Sequence, residues 1–310
     1  MKAVLTREEV VWAFRYMLGR DPESEETIAA HMPFDHWSHL RSALMKSEEF
    51  INNAGYRPFP KKWVLAPVLQ AQRQMWLDVS DRGVSVHCLA DVYEPFETEF
   101  LRERLRPGHG FVDIGANLGW HTLVASTLLG RADPIVAFEP RPETSGWLRR
   151  TLEANGLADQ VIVHSCALGA TPHRAFLNTG VGSDNPGGSF LSETRPGGNL
   201  QSAPVRVETL DSFALARVDV VKLDVEGAEP QVIEGARGTL ARSRPTILSE
   251  LHPRQLQAVS GVSAGDYIAL MKSLGYQTQI VGPVRTGEVI EDFPADWHGE
   301  LMSVGMTANG

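Results

Sequence analysis

The stretch FVDIGANLGWHT, residues 111–122, decides the fold of this chain, because an apolar run passes through an acid into a glycine-bearing turn. The apolar residues predict a short buried strand, and LGWHTLVASTLLG predicts the helix that follows. In sheets of parallel strands, ligands bind outside the carboxyl ends of the strands. We therefore expect this turn to contact a cofactor.

Strands and helices alternate along the chain from residue 108 onward. The later predicted strands are PIVAFEP, VIVHSCALG, VDVVKLD, PTILSEL, YQTQIVG and LMSVGM, and the helices include PETSGWLRRTLEANG, AEPQVIEGARGTL and AGDYIALMKSLG. This order is typical of a doubly wound α/β sheet, here with an antiparallel edge. Residues 178–200 are rich in Gly, Pro, Asn and Ser and lack periodicity, which predicts either a substrate lid or a flexible excursion.

The chain before this α/β region divides into two further parts. Residues 1–57 are predicted to form a small helical module, residues 58–107 a linker with a lead-in strand and helix, and residues 108–310 the α/β domain. In the lead-in, VSVHCLADVYE has strand character. The segment PFETEFLRERLRPGHG predicts a helix that ends at its proline and glycine.

Capping signals place the helices of the N-terminal module. Thr6 and Glu9 have the spacing of a capping box, and Gly19 predicts the end of that first helix. Pro22 is predicted at the first position of a second helix. The segment FDHWSHLRSALMKSEEF spaces Trp, Leu and Leu three to four residues apart, as one face of a third helix requires.

Composition limits the classes of partner. The formal net charge of -9 and a pI near 5.6 provide no general basic field, so nucleic acid is not an expected partner. The N-terminus lacks an apolar signal core, and the sequence contains no run of 18 or more uncharged apolar residues. We therefore expect a cytoplasmic protein that neither spans nor binds a membrane. The sequence does not indicate an oligomeric state.

Cysteines and clustered histidines do not suggest a metal site. The two cysteines, Cys88 and Cys166, are too few for a disulfide framework and lack metal-ligand spacing, which fits a reducing compartment. Among the N-terminal helices, His31, His36 and His39 have no carboxylate or cysteine partner at a matching spacing. We interpret them as surface histidines.

The residues of the turn distinguish between two cofactors. Gly115, Asn117 and Gly119 differ from the glycine pattern of a dinucleotide turn, and the Asp113 carboxylate would repel a pyrophosphate. S-adenosylmethionine carries an ammonium and a sulfonium and no phosphate, so an acid suits it. Glu139 ends the next strand, where it can accept hydrogen bonds from a ribose diol. The turn and Asp113 therefore favour S-adenosylmethionine over NAD.

The run VKLDVEG contains the candidate catalytic residues. Lys222, Asp224 and Glu226 alternate along a predicted strand, which places the first two on one face. The next strand ends in Glu250 and His252, facing the same crevice. Structural pairing of Lys222 is an alternative to a catalytic role, because an unpaired buried charge is costly. His252 is the natural general base, while Asp224, Glu250 and His252 could instead ligate a divalent cation.

The segments FVDIGANLGWHT, VAFEPRPE, CALG, PGGSF, VETLDSF and VDVVKLDVEGAEPQVIEGA, in this order and spacing, resemble the FkbM-type S-adenosylmethionine-dependent methyltransferases. The resemblance covers roughly residues 91–275 and implies a class I methyltransferase fold. It also implies methylation of hydroxyl groups on polyketides or sugars, and amides in some relatives. Residues 1–57 lie outside it and resemble a small bacterial helical module of unknown function.

The resemblance also implies a set of cofactor contacts. It places Asp113, Gly115, Asn117 and Gly119 at the methionine end of the cofactor and Glu139 on its ribose. Ser165 and Ala167 would border the adenine, with Cys166 between them as a small packing residue. Tyr93 and Glu94 match a family segment just before the fold, and we expect them to close over the methyl group; simple packing of Tyr93 is the alternative.

The expected function is O-methylation of a hydroxyl on a sugar, glycan or related natural product. An amide or carboxyl methyltransferase acting on a peptide would share every cofactor residue. A nicotinamide-dependent oxidoreductase and a non-catalytic platform for the N-terminal helices are the alternatives from other classes. For the reaction itself, we favour base catalysis without a metal.

Overall fold

The computed structural model describes residues 5–34, 36–47, 49–50, 63–81, 83–180, 189–195, 200–295, 297 and 301–309. The chain forms two compact units, Met1–Tyr93 and Glu94–Gly310. Their boundary falls inside the segment predicted as a lead-in. The predicted division at residues 57 and 107 stays a prediction. No helix in these described ranges combines the length and apolar character needed to cross a membrane.

The first unit begins with three helices. These are α1 (Arg7–Leu18), α2 (Glu25–His31) and α3 (Trp37–Met45). The predicted capping box is confirmed: the Thr6 hydroxyl accepts the Glu9 amide at 3.3 Å, and the Glu9 carboxylate accepts the Thr6 amide at 2.7 Å. Gly19 ends α1 in the left-handed conformation, with φ 71°, as the sequence predicted.

The start of α2 differs from the prediction. Pro22 lies outside the helix, and the N-cap is Ser24. Its hydroxyl accepts a hydrogen bond from the amide of Thr27 at 3.2 Å. The serine hydroxyl accepts a hydrogen bond from an amide that has no partner within the helix. This interaction determines the helix start more strongly than the preference of proline for the first helical position.

The third helix buries two of its three spaced apolar residues. Leu40 and Leu44 are buried, whereas Trp37 is 40% exposed. The histidines of this unit have ordinary roles: His31 packs edge-on against Phe14, and His36 caps α3. Within the described residues no three His, Cys, Asp or Glu side chains are grouped to hold a metal ion.

The rest of the first unit contains a hairpin and a short helix. Its elements are β1 (Trp63–Val68), β2 (Arg73–Asp78) and α4 (Ser85–Leu89). The prediction of strand character in VSVHCLADVYE is wrong, because Ser85–Leu89 of this segment form α4 and turns follow. The buried Asp81 carboxylate accepts hydrogen bonds from the amides of Gly83, Val84 and Ser85, at 2.9 to 3.2 Å. These bonds stabilise a helical start that alternation of apolar residues does not reveal.

The second unit is built on an eight-stranded sheet. Its strands are β3 (Phe111–Ile114), β4 (Ile135–Phe138), β5 (Val161–His164), β10 (Val220–Leu223), β11 (Thr246–Leu251), β12 (Tyr276–Val281), β13 (Val289–Ile290) and β14 (Met302–Ala308). The order is β13-β12-β14-β11-β10-β3-β4-β5. Strands β5, β4, β3, β10 and β11 are parallel, whereas β14 is antiparallel to both its neighbours and β13 is an antiparallel edge. The predicted doubly wound α/β fold is confirmed.

Helices connect these strands as predicted, with one exception. They are α5 (Pro95–Arg104), α6 (Trp120–Leu128), α7 (Pro142–Ala154), α8 (Glu229–Glu234), α9 (Arg237–Ser243) and α10 (Ala264–Ser273). The single helix predicted over AEPQVIEGARGTL is two helices, α8 and α9. At the break, a β-carbon on Gly235 would lie 2.0 Å from the carbonyl oxygen of Gly169. This close backbone approach requires glycine where a continuous helix would not.

The stretch between β5 and β10, which includes the non-periodic residues 178–200, forms a second sheet in its described residues. Its strands are β6 (Ala167–Leu168), β7 (His173–Gly180), β8 (Phe190–Ser192) and β9 (Leu200–Glu208), in the order β6-β9-β7-β8. Asn178, in the segment predicted as lid or excursion, is buried and donates to the Ser192 hydroxyl at 2.7 Å. For these strand ends a flexible excursion is the wrong prediction, because a buried side-chain network holds them; the alternative of a substrate lid stays a prediction. Residues 181–188 and 196–199 lie outside the described residues.

Candidate functional site

The first turn, residues 115–119, follows β3 and is held by the neighbouring strands. The amides of Gly115 and Ala116 both donate to the carbonyl of Phe138 at 3.0 Å. Gly115 has φ +82°, and a β-carbon there would lie 1.8 Å from the carbonyl oxygen of Asp224. Only glycine lets this turn pack against the chain that leaves β10.

Glu139, at the end of β4, fixes the first turn. Its Oε2 accepts the amide of Asn117, which is left-handed with φ 50°, and its Oε1 accepts the amide of Arg141, both at 2.9 Å. Each carboxylate oxygen keeps a second acceptor position, which suits the two hydroxyls of a ribose. Burial raises the pKa of Glu139 to about 7. The Glu139 carboxylate therefore fits the ribose of S-adenosylmethionine, and the orientation of the cofactor stays a prediction.

Asp113 lies at the base of the first turn and is 1% exposed. Its Oδ2 accepts the hydroxyl of Thr122 at 2.6 Å, and its buried Oδ1 has no hydrogen-bond partner among the described residues. Burial raises the pKa of Asp113, although nearby Lys222 and Thr122 oppose the rise. Gly119, with φ +96°, is the N-cap of α6. The Asp113 carboxylate is covered by protein, and its predicted contact with a cofactor stays a prediction.

The residues predicted to border the adenine follow β5. Ser165 is exposed, and its hydroxyl lies 3.0 Å from that of Ser145. Ala167 is buried in β6 and pairs with Val207. Cys166 between them is a buried free thiol in the core, as predicted, and burial raises its pKa. Ser165 can face a ligand, whereas the Ala167 side chain cannot.

The second turn, residues 224–229, begins with an ion pair. Lys222 and Asp224 share one face, as predicted, with the Lys222 ammonium 2.7 Å from the Asp224 carboxylate. Lys222 is only 6% exposed. Burial lowers the pKa of Lys222, but the carboxylates of Asp224, Glu94 and Asp113 outweigh burial and raise it. The amine therefore stays protonated, and structural pairing is at least part of its role.

The prediction that Glu226 continues the strand is wrong. The strand β10 ends at Leu223, and Glu226 lies in the second turn with φ 56°. The Gln255 side chain donates to its carboxylate. Burial, and then the charge of Asp224, raise the pKa of Glu226 to about 8.

A buried glutamate that the sequence analysis did not select holds the second turn. The Oε1 of Glu229 accepts the amides of Val225 at 3.0 Å and Gly227 at 3.3 Å. Glu229 is 2% exposed, and burial raises its pKa to about 7. Its spacing of two to four residues from the amides is a local capping signal that was available in the sequence.

A pocket of about 160 Å³ lies beside the second turn. Its described lining residues are Glu94, Glu97, Lys222, Asp224, Leu248, Ser249, Glu250, Leu301 and Ser303. Glu250 is next to Asp224 in the sheet, because Leu223 pairs with Ser249 in the parallel register. Burial and the charges of Asp224 and Glu226 raise the pKa of Glu250 well above its usual value. The pocket therefore brings together four of the predicted residues, Lys222, Asp224, Glu250 and Glu94.

The helix α5 supplies one pocket residue that the sequence analysis missed, Glu97. Glu97 lies three residues after Glu94, and this helical spacing was the available signal. The predicted Glu94 lies in the pocket wall, 3.4 Å from Nε2 of His121. Burial and nearby Lys222 lower the pKa of His121 well below its usual value, so this imidazole is neutral. Tyr93 ends the first unit, and its predicted contact with the cofactor remains a prediction.

The structure does not assemble the predicted metal site. His252 precedes a single helical turn, Pro253–Gln255, and does not appear among the described lining residues of the pocket. Its buried Nδ1 lacks a hydrogen-bond partner in the described chain. The part of the chain that the structure describes contains no group of three such ligands, so the set Asp224, Glu250 and His252 is wrong as a ligand cluster.

Several curated proteins are similar to part of this chain. "Methyltransferase 1" of Beauveria bassiana is 30% identical over 40% of this chain and 57% of its own length. "Hexuronic acid methyltransferase AglP" of Haloferax volcanii is 26% identical over 54% of this chain and 63% of its own length. The chain thus matches about three fifths of the length of these relatives.

Solved structures are similar at low identity. The crystal structure of methyltransferase FkbM from Methylobacillus flagellatus shares 15% identity, over 96% of this chain and 58% of that chain, with a TM-score of 0.43. An S-adenosylmethionine-dependent O-methyltransferase from Thermotoga maritima shares 14% identity over 71% and 67%, with a TM-score of 0.41.

The family assignment rests on a match of the family model to residues 113–278, more than half of the 310 residues. The matched region begins at Asp113 and contains both turns, Glu139 and Glu250. It extends to the start of β12, so it spans the parallel strands of the main sheet. This chain belongs to the methyltransferase FkbM domain family.

Proposed function

We propose that this chain transfers a methyl group from S-adenosylmethionine to a hydroxyl of a sugar, glycan or related natural product. The position of Asp224 carries the proposal. Its backbone carbonyl packs against Gly115 of the first turn, while its side chain lines the pocket. One residue therefore connects the cofactor turn with a cavity for the acceptor, as a transfer between two bound molecules requires.

The pocket supplies groups for proton removal from the acceptor. When bound, S-adenosylmethionine supplies an electrophilic methyl, so that the O–C bond forms as the C–S bond breaks and S-adenosylhomocysteine is released. Glu250 is the proposed general base, since it lines the pocket, and burial with the neighbouring carboxylates raises its pKa, which makes its carboxylate a stronger base. Asp224, fixed by Lys222, orients the acceptor hydroxyl. His252 remains a candidate base from the sequence.

One observation favours a hydroxyl acceptor over a carboxyl acceptor, and one relative supports a sugar. The pocket wall carries carboxylates, which repel a second carboxylate in a confined space. One relative that shares 26% identity is named for a hexuronic acid, a sugar derivative that carries both hydroxyls and a carboxyl group, so it supports a sugar acceptor without identifying the methylated atom. The acceptor class of a hydroxylated sugar is consistent with both.

The test separates cofactor binding from turnover. Calorimetry should show binding of S-adenosylhomocysteine and no binding of NAD. Glu250→Gln and Asp224→Asn should each bind S-adenosylhomocysteine almost as the wild type does, and lower turnover by about 10²- to 10⁴-fold, as expected for lost proton transfer. EDTA should leave turnover unchanged. Full turnover in both variants, or binding of NAD in place of S-adenosylhomocysteine, would contradict the proposal.

A further inference from the structure

Arg141 is a largely buried arginine that follows β4, two residues after Glu139, and its side chain is 24% exposed. It is the N-cap of α7, but its side chain makes no capping hydrogen bond. Its backbone amide binds the Glu139 carboxylate at 2.9 Å. One nitrogen of its guanidinium, Nη1, is buried and has no hydrogen-bond partner among the described residues.

The ion pair between Arg141 and Glu143 does not satisfy this nitrogen. It joins the other terminal nitrogen, Nη2, to the Glu143 carboxylate at 3.9 Å, and the Glu143 side chain is 68% exposed. Such a long and exposed pair contributes little to stability. A buried N–H without a partner raises the free energy of the folded protein. A bound ligand that accepts a hydrogen bond would remove this cost, so the buried nitrogen points to a ligand.

The charge of Arg141 acts on the carboxylate that we assign to the ribose. Burial raises the pKa of Glu139, and the backbone hydrogen bonds that it accepts, together with the charge of Arg141, oppose this rise. The guanidinium is therefore near enough to favour the ionised form of Glu139. An ionised carboxylate only accepts hydrogen bonds, and a guanidinium only donates them. The two side chains thus offer complementary hydrogen-bonding groups at one place.

A ribose hydroxyl uses both kinds of group. It has one hydrogen to donate and two lone pairs that accept. When Glu139 accepts the hydrogens of the two ribose hydroxyls, their oxygens still need donors. The free N–H groups of Arg141 can supply one, because the guanidinium lies beside the same carboxylate.

A phosphate is the other group that an arginine at this place could bind. In NADP-dependent proteins, an arginine near the ribose accommodates the 2′-phosphate. Here the Glu139 carboxylate is fixed by the amides of Asn117 and Arg141 and would repel a phosphate on the ribose. A ribose with free hydroxyls therefore suits both side chains, whereas a phosphorylated ribose suits only one.

Building on the proposed function, we propose that Arg141 is a further cofactor-binding residue, whose Nη1 donates a hydrogen bond to a ribose hydroxyl oxygen of S-adenosylmethionine and of S-adenosylhomocysteine. Glu139 accepts the hydrogen of that hydroxyl. Binding of the cofactor satisfies the buried nitrogen of Arg141. The pair makes an intact ribose diol a requirement for tight binding.

Calorimetry with S-adenosylhomocysteine tests the contact. Arg141→Met keeps a long apolar side chain and removes the donors, so it should weaken binding by about tenfold to a hundredfold, as expected for a lost charge-assisted hydrogen bond. Arg150→Met is the matched control. Arg150 is an exposed residue of the same helix, with its guanidinium 4.4 Å from the ring centroid of Trp147, and this variant should bind as the wild type does. Wild-type affinity in Arg141→Met would overturn the inference.

The 2′-deoxy and 3′-deoxy analogues of S-adenosylhomocysteine test whether the contact is with a hydroxyl. For the analogue that lacks the contacted hydroxyl, the wild type and Arg141→Met should differ by less than about threefold. For the other analogue, the full difference should remain. An equal loss with both analogues would mean that Arg141 does not bind a single ribose hydroxyl, and the inference would be wrong.

The stability of the ligand-free protein separates binding from a structural role. Because Nη1 has no partner in the described chain, Arg141→Met should unfold at the same urea concentration as the wild type or at a higher one. The extra stability that S-adenosylhomocysteine confers should be smaller in the variant. A less stable ligand-free variant would show that Arg141 holds the protein itself, which contradicts the inference.

These measurements also separate the inference from the proposed function. If the wild type does not bind S-adenosylhomocysteine, the proposed function itself is wrong. If the wild type binds it and Arg141→Met binds it equally well, the proposed function stands and only the role of Arg141 is wrong.

Discussion

The first and second turns have the same construction, but the glutamate that holds each turn accepts its backbone hydrogen bonds in a different way. We therefore expect the two turns to have different roles. Each follows a parallel strand at the centre of the sheet, and the two strands are neighbours. Each contains a left-handed non-glycine residue, Asn117 at φ 50° and Glu226 at φ 56°. Each is held by a buried glutamate whose pKa burial raises to about 7.

The difference lies in how the two carboxylates are used. Glu139 comes from the next strand and accepts one amide on each oxygen, so both oxygens keep an open acceptor position. Glu229 comes from the turn itself and accepts two amides on one oxygen, while its other oxygen is buried without a partner in the described residues. A carboxylate with open positions toward a crevice suits a ligand. A fully covered carboxylate positions backbone, and here it positions the segment that carries Asp224.

The largest expected effect comes from the glycine that joins the two turns. Gly115→Ala should destabilise the protein by more than about 4 kcal/mol, because the new β-carbon would overlap the Asp224 carbonyl at a positive φ. Gly227→Ala, with a β-carbon 2.4 Å from the Gln255 carbonyl oxygen, should cost somewhat less. Chemical denaturation measures both free energies of unfolding.

Gly146→Ala is the control for this pair. Gly146 lies within α7, and a β-carbon added there would have no atom within 4 Å outside its own helix backbone and chain neighbours. The substitution should stabilise the protein by up to about 1 kcal/mol, since alanine favours the helix. A loss of less than about 1 kcal/mol in Gly115→Ala would show that the two turns do not need this close approach.

A smaller effect should separate the two glutamates. Glu139→Ala should weaken S-adenosylhomocysteine binding by about 1.5–3 kcal/mol, because it removes a charged acceptor from two ribose hydroxyls. Glu229→Gln should keep that affinity within about twofold, since its carbonyl oxygen can still accept the turn amides. Calorimetry measures both.

Exposed Glu143, near Glu139 at the start of α7, provides the control for the alanine variant. Glu143→Ala should bind S-adenosylhomocysteine as the wild type does. If Glu139→Ala also kept full affinity, the ribose would have to bind elsewhere. The expected difference between the turns, with Glu139 binding a ligand and Glu229 holding backbone, would then be wrong.

The smallest effect is in the pH dependence of stability. The pKa of Glu229 rises from 4.5 to about 7 on folding, so the folded protein binds more protons than the unfolded chain between these values. Stability from this group is complete below pH 4.5 and is lost as the pH rises through 7. Between pH 6 and pH 8 the loss should be on the order of 1 kcal/mol.

Denaturation of the ligand-free protein at several pH values measures this slope. Glu229→Gln should show a shallower decline between about pH 6 and pH 8, because the titrating group is absent. Glu143→Gln, which removes an exposed carboxylate, should retain the wild-type slope. An identical slope in Glu229→Gln and the wild type would mean that Glu229 does not titrate in this range.

Several site residues could be predicted because their signals are local. The glycines of the first turn, Asp113 and Glu139 follow apolar strands directly, and the strand ends place them at one edge of a parallel sheet. The segment VSVHCL was misread because its alternation imitates a strand, while the Asp81 carboxylate stabilises a helix. The small sheet was missed because β7 and β9 pair across a long connection, and their sequences show little regular alternation.

The sequence by itself determined the order of strands and helices, the position of the first turn and the identity of the acids around it. These features depend on residue type and spacing within about ten residues, and such local preferences can be read directly. Only the tertiary structure decided that Glu94 and Glu97, at the start of α5, meet Asp224 and Glu250 in one pocket, while His252 lies outside its described lining. Residues more than about one hundred positions apart come together there through sheet pairing and helix packing, which no local pattern specifies.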